Sequence, residues 1–276
     1  MNEMKIRKIV RDATEEDIGT GDITTDNIVD ESEKGKGIIR VKEKSVVAGL
    51  KVAEMVFNKI DPELEFIYLK KDGDEVDNGT EIAEVVGEVN SILKGERLAL
   101  NFLQRMSGIA TNTRKYVDRI QNYETKVVDT RKTTPNLRIL EKWAVRLGGG
   151  QNHRMGLYDA VLIKDNHIKA AGSIGEAVSR VKRGIPHTTK IEVEVEDIEG
   201  VKEALDNDVN IIMLDNMSLE DMNKSVGLIG KEALTEASGG ITLDNIKNVA
   251  ETGVDFISVG ALTHQIRSID ISLDLI

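Results

Sequence analysis

The sequence predicts an α/β protein: a closed or nearly closed barrel of about six parallel strands, preceded by a small α+β domain. Three observations carry this prediction. From residue 126 onward, six short apolar runs alternate with stretches of helical periodicity, the pattern of parallel strands joined by right-handed crossovers. Polar or charged residues stand at the C-terminal end of each of those runs, where barrel enzymes carry their sites. Before residue 90 the texture differs: short β-branched segments are punctuated by Gly, Asn and Asp and interrupted by one helical stretch.

Taken in order, Lys5 to Ile18 places Ile6, Ile9, Val10 and Ala13 at helical spacing with a charged outer face. GIIRVK (37–42), SVVAG (45–49), LEFIYLKKDGDEV (64–76) and TEIAEVVGEV (80–89) read as strands, with a helix over Leu50–Ile60. A long helix is expected from about Gly95 to Tyr123, with Leu98, Phe102, Leu103, Met106 and Ile109 as its core stripe. Strands follow at 126–130, 159–164, 190–196, 210–215, 233–240 and 255–260, with helices between them at 137–147, 174–181, 198–205, 219–229 and 243–252. Trp143 reads as packing, and the stripe Arg138, Lys142, Arg146 as a solvated face.

The 276 residues include no Cys, which excludes a disulfide framework, Cys-ligated metal and a thiol nucleophile. The N-terminus mixes charges without an apolar block, so no signal peptide is expected, and no apolar run reaches the roughly 20 residues that span a bilayer. The formal net charge of −11 argues against a nucleic-acid polymer. That charge is uneven. Between Arg131 and Lys169 eight Lys or Arg stand against three Asp or Glu, a local +5 suited to small anionic ligands.

The strand ends concentrate the chemistry. The first is followed by Thr130-Arg131-Lys132, the second by Lys164-Asp165-Asn166-His167, and the fourth ends in Asp215-Asn216. In the third, Ile191, Val193 and Val195 share the face that packs on helices, which turns Glu192, Glu194 and Glu196 toward the barrel interior or mouth. Carboxylates there need cationic partners, and Lys132, Arg154 and Lys164 are the candidates. A purely structural ion-pair network is the alternative. Ser238-Gly239-Gly240 and Gly260-Ala261 suit a phosphate held by backbone N–H groups, or else only tight turns. Gly148 to Arg154 combines flexible backbone with cation, and His153 is the best placed of four His, His167 and His264 being expected as structural.

Several segments resemble the quinolinate phosphoribosyltransferases, the decarboxylating enzymes that make nicotinate mononucleotide in NAD biosynthesis. They are EEDIGTGDITT (15–25), GERLALNFLQRMSGIAT (95–111), DTRKTTPNLRILEKWAVRLGGGQNHRMGLYDAVLIKDNHI (129–168), EVEVE (192–196), IIMLDNM (211–217), EASGGI (236–241) and ISVGALTH (257–264). The resemblance implies an open or incomplete α/β barrel of about six parallel strands plus an N-terminal α+β sandwich domain. The expected division is 1–108 for the N-terminal domain, with 265–276 packed on it, and 109–264 for the barrel.

The resemblance also implies roles. Arg131, His153 and Arg154, with Thr130, would hold the carboxylates of quinolinate. Lys132, Lys164, Glu194 and Asp215 would be catalytic. Glu194 and Asp215 would meet the ribose hydroxyls of phosphoribosyl pyrophosphate, or magnesium through water. Ser238, Gly239, Gly240, Val259, Gly260 and Ala261 would cradle the 5′-phosphate. Arg97 would reach a neighbour's site in a homodimer, and hexamers built from dimers occur in the family. A cytoplasmic enzyme is implied. Asn136 stands where the family usually has Gly, at a helix start, with no functional consequence expected. Three rival readings are a related barrel associated with molybdate transport, a Schiff-base aldolase on Lys164, and an inactive barrel serving as a binding subunit.

Overall fold

The structure, a computed structural model, describes every residue except Met1 and Glu31. The chain forms two compact units. One comprises the described residues up to Arg114 together with Thr133–Gly149 and Leu262–Ile276, and the other Lys115–Lys132 with Gly150–Ala261. The chain thus passes between the units after Arg114, Lys132, Gly149 and Ala261.

The first unit opens with α1 (Glu3–Ile18), capped by the Asn2 side chain, and the short α2 (Thr25–Ile28). Next come β1 (Lys34–Val41), β2 (Ser45–Val46), α3 (Leu50–Ile60), β3 (Glu65–Tyr68), β4 (Glu75–Val76) and β5 (Glu81–Glu88). β1 and β5 alternate as half-buried strands should: Ile39, Val41, Ile82 and Val85 are buried. Arg40 on the outer face bridges Glu81 and Asp274 at 2.7 Å each. α3 buries Leu50, Val52, Ala53, Val56 and Phe57, and its first N–H groups are capped from a distance by Asp72, which accepts from Gly49 at 2.8 Å and Leu50 at 3.0 Å.

α4 (Val89–Arg119) starts six residues before the expected Gly95. Gly95 reads as a break, but it sits inside the helix because the ring of Phe57 lies 2.6 Å from where its Cβ would be. The glycine is a close-packing position, not a terminus. Val89 and Ile92 extend the buried stripe backward. The C-terminal strand, which the sequence does not announce as a strand, pairs antiparallel with β1 through Ile271–Leu275, giving a four-stranded sheet with β5 and β3.

β6 (Lys126–Val128) is the first strand of the second unit, and α5 (Arg138–Leu147) belongs to the first. On α5, Lys142 is buried rather than solvated, which corrects the expectation of a wholly exposed basic stripe. Its neighbour Glu141 is buried too and takes the Arg105 guanidinium at 2.6 Å. Asn136, just before α5, has φ +66°, a left-handed conformation that Asn tolerates and Gly adopts freely.

The rest of the second unit runs β7 (Val161–Ile163), α6 (Asp165–Ala171), α7 (Ile174–Gly184), β8 (Ile191–Val195), α8 (Ile198–Asp206), β9 (Ile211–Asp215), α9 (Leu219–Ile229), β10 (Leu234–Ser238), α10 (Ile246–Glu251) and β11 (Phe256–Ser258); α11 (Ala261–His264) lies at the change of unit, and β12 is Ile271–Leu275 of the first unit. Ser173, Asp197 and Ser218 cap α7, α8 and α9 by accepting from the N–H three residues on. All six expected strands form one parallel sheet in the order β6-β11-β10-β9-β8-β7. β6 and β7 are its edges and do not pair among the described residues, so the barrel is open, where the strand pattern alone favours closure.

Candidate active site

The C-terminal ends of the six strands bring one set of polar residues together in the second unit. β8 shows a gradient of depth. Glu192 is buried, Glu194 half-buried and Glu196 exposed, so carboxylates that share one face lie at three different levels. Glu194 forms an ion pair with Lys164 at the end of β7, as the sequence anticipates. Lys164 is also the N-cap of α6, and its N–H donates to Nδ1 of His167 at 2.9 Å. His167 is therefore a local cap.

The partner of Glu192 is one the sequence did not suggest. Nε2 of His153 lies 3.0 Å from Glu192 Oε2 and 3.7 Å from Glu236 Oε2 on β10. Both carboxyl groups are buried, and Oε1 of each has no hydrogen-bond partner. Burial, and then the charge of Glu192, pushes Glu236 up to about 7. Among the described residues His153, Glu192 and Glu236 are also the one His/Asp/Glu group close enough to hold a metal, their ligand atoms lying within 4.8 Å of one another.

The segment before β7 is held from β6. Asp129, fully buried, accepts from the N–H of His153 at 2.9 Å and from Nδ2 of Asn152 at 2.6 Å. Arg154 follows directly. Its backbone N–H donates to Nδ1 of His153 at 2.7 Å and its Nη1 to the Ala160 carbonyl at 3.2 Å. Burial lowers the Arg154 guanidinium below its ordinary value, and the neighbouring charge of Arg131 lowers it further. Two guanidiniums near enough to repel make a natural seat for an anion that neutralises both. Arg131 and Lys132 are exposed, and Thr130 Oγ1 accepts from the Lys132 N–H at 3.0 Å, turning the chain at the end of β6.

On the other strands, Asp215 ends β9 and takes the amide of Asn216 at 2.7 Å. Asn216 has φ +55°, and its N–H donates to the Ser238 carbonyl at 2.9 Å. Gly239 and Gly240 follow with φ +91° and +60°. Asn245 holds this loop by donating to the Gly240 carbonyl at 2.9 Å and accepting from Thr242 N–H at 2.8 Å. Val259 is buried and its N–H donates to the Val128 carbonyl at 2.9 Å, which sets Gly260 and Ala261 beyond the end of β11. Arg97 lies exposed on α4 in the first unit.

The comparisons with known proteins fall on this arrangement. The family of the quinolinate phosphoribosyl transferase C-terminal domain matches residues 109–274, and that of its N-terminal domain residues 22–107. The chain belongs to the quinolinate phosphoribosyltransferase family. A relative described as a probable nicotinate-nucleotide pyrophosphorylase (carboxylating) from Bacillus subtilis (strain 168) is 44% identical over 275 residues, covering 100% of this chain and 95% of that one. Quinolinate phosphoribosyltransferase (decarboxylating) 2b, mitochondrial, from Nicotiana tabacum is 39% identical, covering 98% of this chain and 82% of its own length. The crystal structure of NadC from Streptococcus pyogenes superposes with a TM-score of 0.97 at 42% identity, covering 100% of this chain and 98% of that one. Against this quinolinate phosphoribosyltransferase background, Asp129 and Glu236 are residues the sequence reading passed over, and Glu192, which it turned inward, was given no role of its own. Glu192 and Glu236 lie within the quoted motifs EVEVE and EASGGI, and a buried carboxyl between apolar strand neighbours was the signal.

Proposed function

We propose that this chain transfers the phosphoribosyl group of phosphoribosyl pyrophosphate to the ring nitrogen of quinolinate. The products are nicotinate mononucleotide, pyrophosphate and carbon dioxide, a step of NAD biosynthesis. Family membership supports the reading, and the observation that carries it is the pair Arg131 and Arg154, two neighbouring cations in a unit that also bears a loop turned by Gly239 and Gly240. A pyridine with adjacent carboxylates suits the first feature and a 5′-phosphate the second.

The C1–O bond to pyrophosphate breaks as the N–C1 bond forms, and positive charge builds on the ribose. Glu194 and Asp215, at the ends of adjacent strands, are the carboxylates that face that charge in this reading. Lys132 and Lys164 favour the anionic leaving group, and Arg131, Thr130 and Arg154 orient quinolinate. The bond to the 2-carboxylate then breaks with its electron pair left on C2, where the adjacent positive ring nitrogen stabilises it; carbon dioxide leaves, and C2 takes a proton from water. Ser238, Gly239, Gly240, Val259, Gly260 and Ala261 hold the 5′-phosphate by backbone. Glu194 and Asp215 offer the hard oxygen donors that Mg2+ takes, and Glu194 already holds Lys164, so outer contact through water fits them better than direct ligation. When bound, Mg2+ neutralises the departing pyrophosphate. Arg97 completing the site of a neighbour in a homodimer, assembly into hexamers, and a cytoplasmic location rest on the resemblance. No helix among the described residues is long and apolar enough to cross a membrane.

A Schiff-base role for Lys164 is disfavoured by its setting. Its side chain is 45% exposed and paired with Glu194, not desolvated in an apolar pocket. Incubating the protein with quinolinate, phosphoribosyl pyrophosphate and Mg2+ tests the proposal. Nicotinate mononucleotide forms, nicotinate in place of quinolinate gives little, and failure to form product with quinolinate refutes it.

A further inference from the structure

The hydrogen bonds around His153 determine where its proton sits. Nδ1 accepts the Arg154 N–H at 2.7 Å, and a ring nitrogen that accepts carries no proton. Nε2 faces carboxylate oxygens of Glu192 at 3.0 Å and Glu236 at 3.7 Å, so Nε2 is the nitrogen that donates. The ring is then neutral, with both nitrogens engaged inside the second unit. The same geometry disfavours a metal in the cluster. A metal on Nε2 would need that lone pair while Nδ1 still accepts, which leaves an imidazolate, whereas metal-bound His normally donates from its other nitrogen.

We infer that His153 is a positioning residue, held as its neutral Nε2–H tautomer by the buried Glu192–Glu236 pair, and that its Nδ1 in turn fixes the backbone of Arg154, so that Arg131 and Arg154 rather than an imidazolium carry the charge that receives the dicarboxylate. This rests on the proposed use of quinolinate and changes the part the family resemblance gives to His153. The chain of support is continuous. Asp129 at the end of β6 holds the His153 N–H, His153 holds the Arg154 N–H, and Glu192 on β8 holds the ring. None of Asp129, Glu192 and Glu236 needs to touch substrate for its loss to displace Arg154.

Two measurements test this. Nitrogen-15 NMR of histidine-labelled protein, with His153→Gln used to assign the signal among the four His, reads the tautomer directly. A neutral ring protonated on Nε2 is expected at neutral pH, both alone and with quinolinate added. An imidazolium, a proton on Nδ1, or displacement of the signal by one equivalent of Zn2+ or Mn2+ overturns the inference. This arm needs no turnover, so it stands apart from any failure of the assay for nicotinate mononucleotide. In kinetics, Glu192→Ala raises KM for quinolinate roughly ten-fold with a smaller change in kcat. Glu192→Gln, whose amide oxygen still accepts from Nε2–H, recovers most of that loss. Equal loss in both variants also overturns the inference, because the charge and not the acceptor would then be what matters.

Discussion

The side-chain oxygen of Asn216 lies 2.2 Å from the point where a Cβ on Gly239 would stand. One strand end thus packs against the backbone of the next loop, with room only for glycine, and φ of +91° at Gly239 adds a conformation that L side chains rarely adopt. The approach is held by the residue before the glycine, since the Asn216 N–H donates to the Ser238 carbonyl at 2.9 Å. Gly239→Ala is expected to cost about 1–3 kcal/mol of stability and to raise KM for phosphoribosyl pyrophosphate well above that for quinolinate. Thermal unfolding with steady-state kinetics checks it; equal shifts in both KM values would remove the loop from phosphate binding.

Lys164 and Glu194 separate activity from stability. An ion pair whose lysine is 45% exposed contributes about 1 kcal/mol or less to folding. In the proposed chemistry Glu194 faces the charge on the ribose and Lys164 the anionic leaving group, so Lys164→Ala is expected to lower kcat on the order of a hundred-fold while the melting temperature barely moves. A variant that loses stability and activity in proportion would make the pair structural.

Arg131 and Arg154 lie close enough for the charge of one to lower the other. Removing either leaves one cation for two carboxylates. Arg131→Ala and Arg154→Ala are each expected to cost about 1.5–3 kcal/mol in kcat/KM for quinolinate, with circular dichroism unchanged. Near-normal turnover in both would detach this cluster from the dicarboxylate.

Glu236 makes stability depend on pH in a defined direction. Its folded value of about 7 lies above the unfolded value near 4.5, so the folded state binds the extra proton between them. Stability from this group is fully present below the unfolded value and is lost as pH rises through about 7. Glu236→Gln, neutral throughout, should gain stability relative to the natural chain as pH rises from about 5 to 8, on the order of a few kcal/mol. Chemical denaturation at several pH values measures the difference, and a flat difference contradicts a raised Glu236 carboxyl.

Much of the architecture was legible because it rests on short-range periodicity. Val127, Ile163, Val193, Ile212, Ala237 and Ile257 are all buried in the strands where alternation and apolar runs placed them. Elements that depend on distant partners were not legible. Gly95 resembles a helix end until the Phe57 ring is seen against it. Residues 271–275 become a strand only because β1 offers an edge. Lys142 resembles a surface residue from its spacing with Arg138 and Arg146, and is buried.

The candidate site divides in the same way. The sequence by itself determined the parallel α/β design, the residue types at each strand end, and membership of a family through motifs that run along the chain. Side-chain alternation was enough to turn Glu192, Glu194 and Glu196 to one face. Only the tertiary structure decided how deep each carboxylate lies, that Lys164 takes Glu194, and that Glu192 meets His153 and Glu236. Those pairings join β7, β8, β10 and the loop after β6, segments up to 83 residues apart from His153 to Glu236. Their protonation follows from burial and mutual charge, which are properties of the assembled unit and not of any local stretch of sequence.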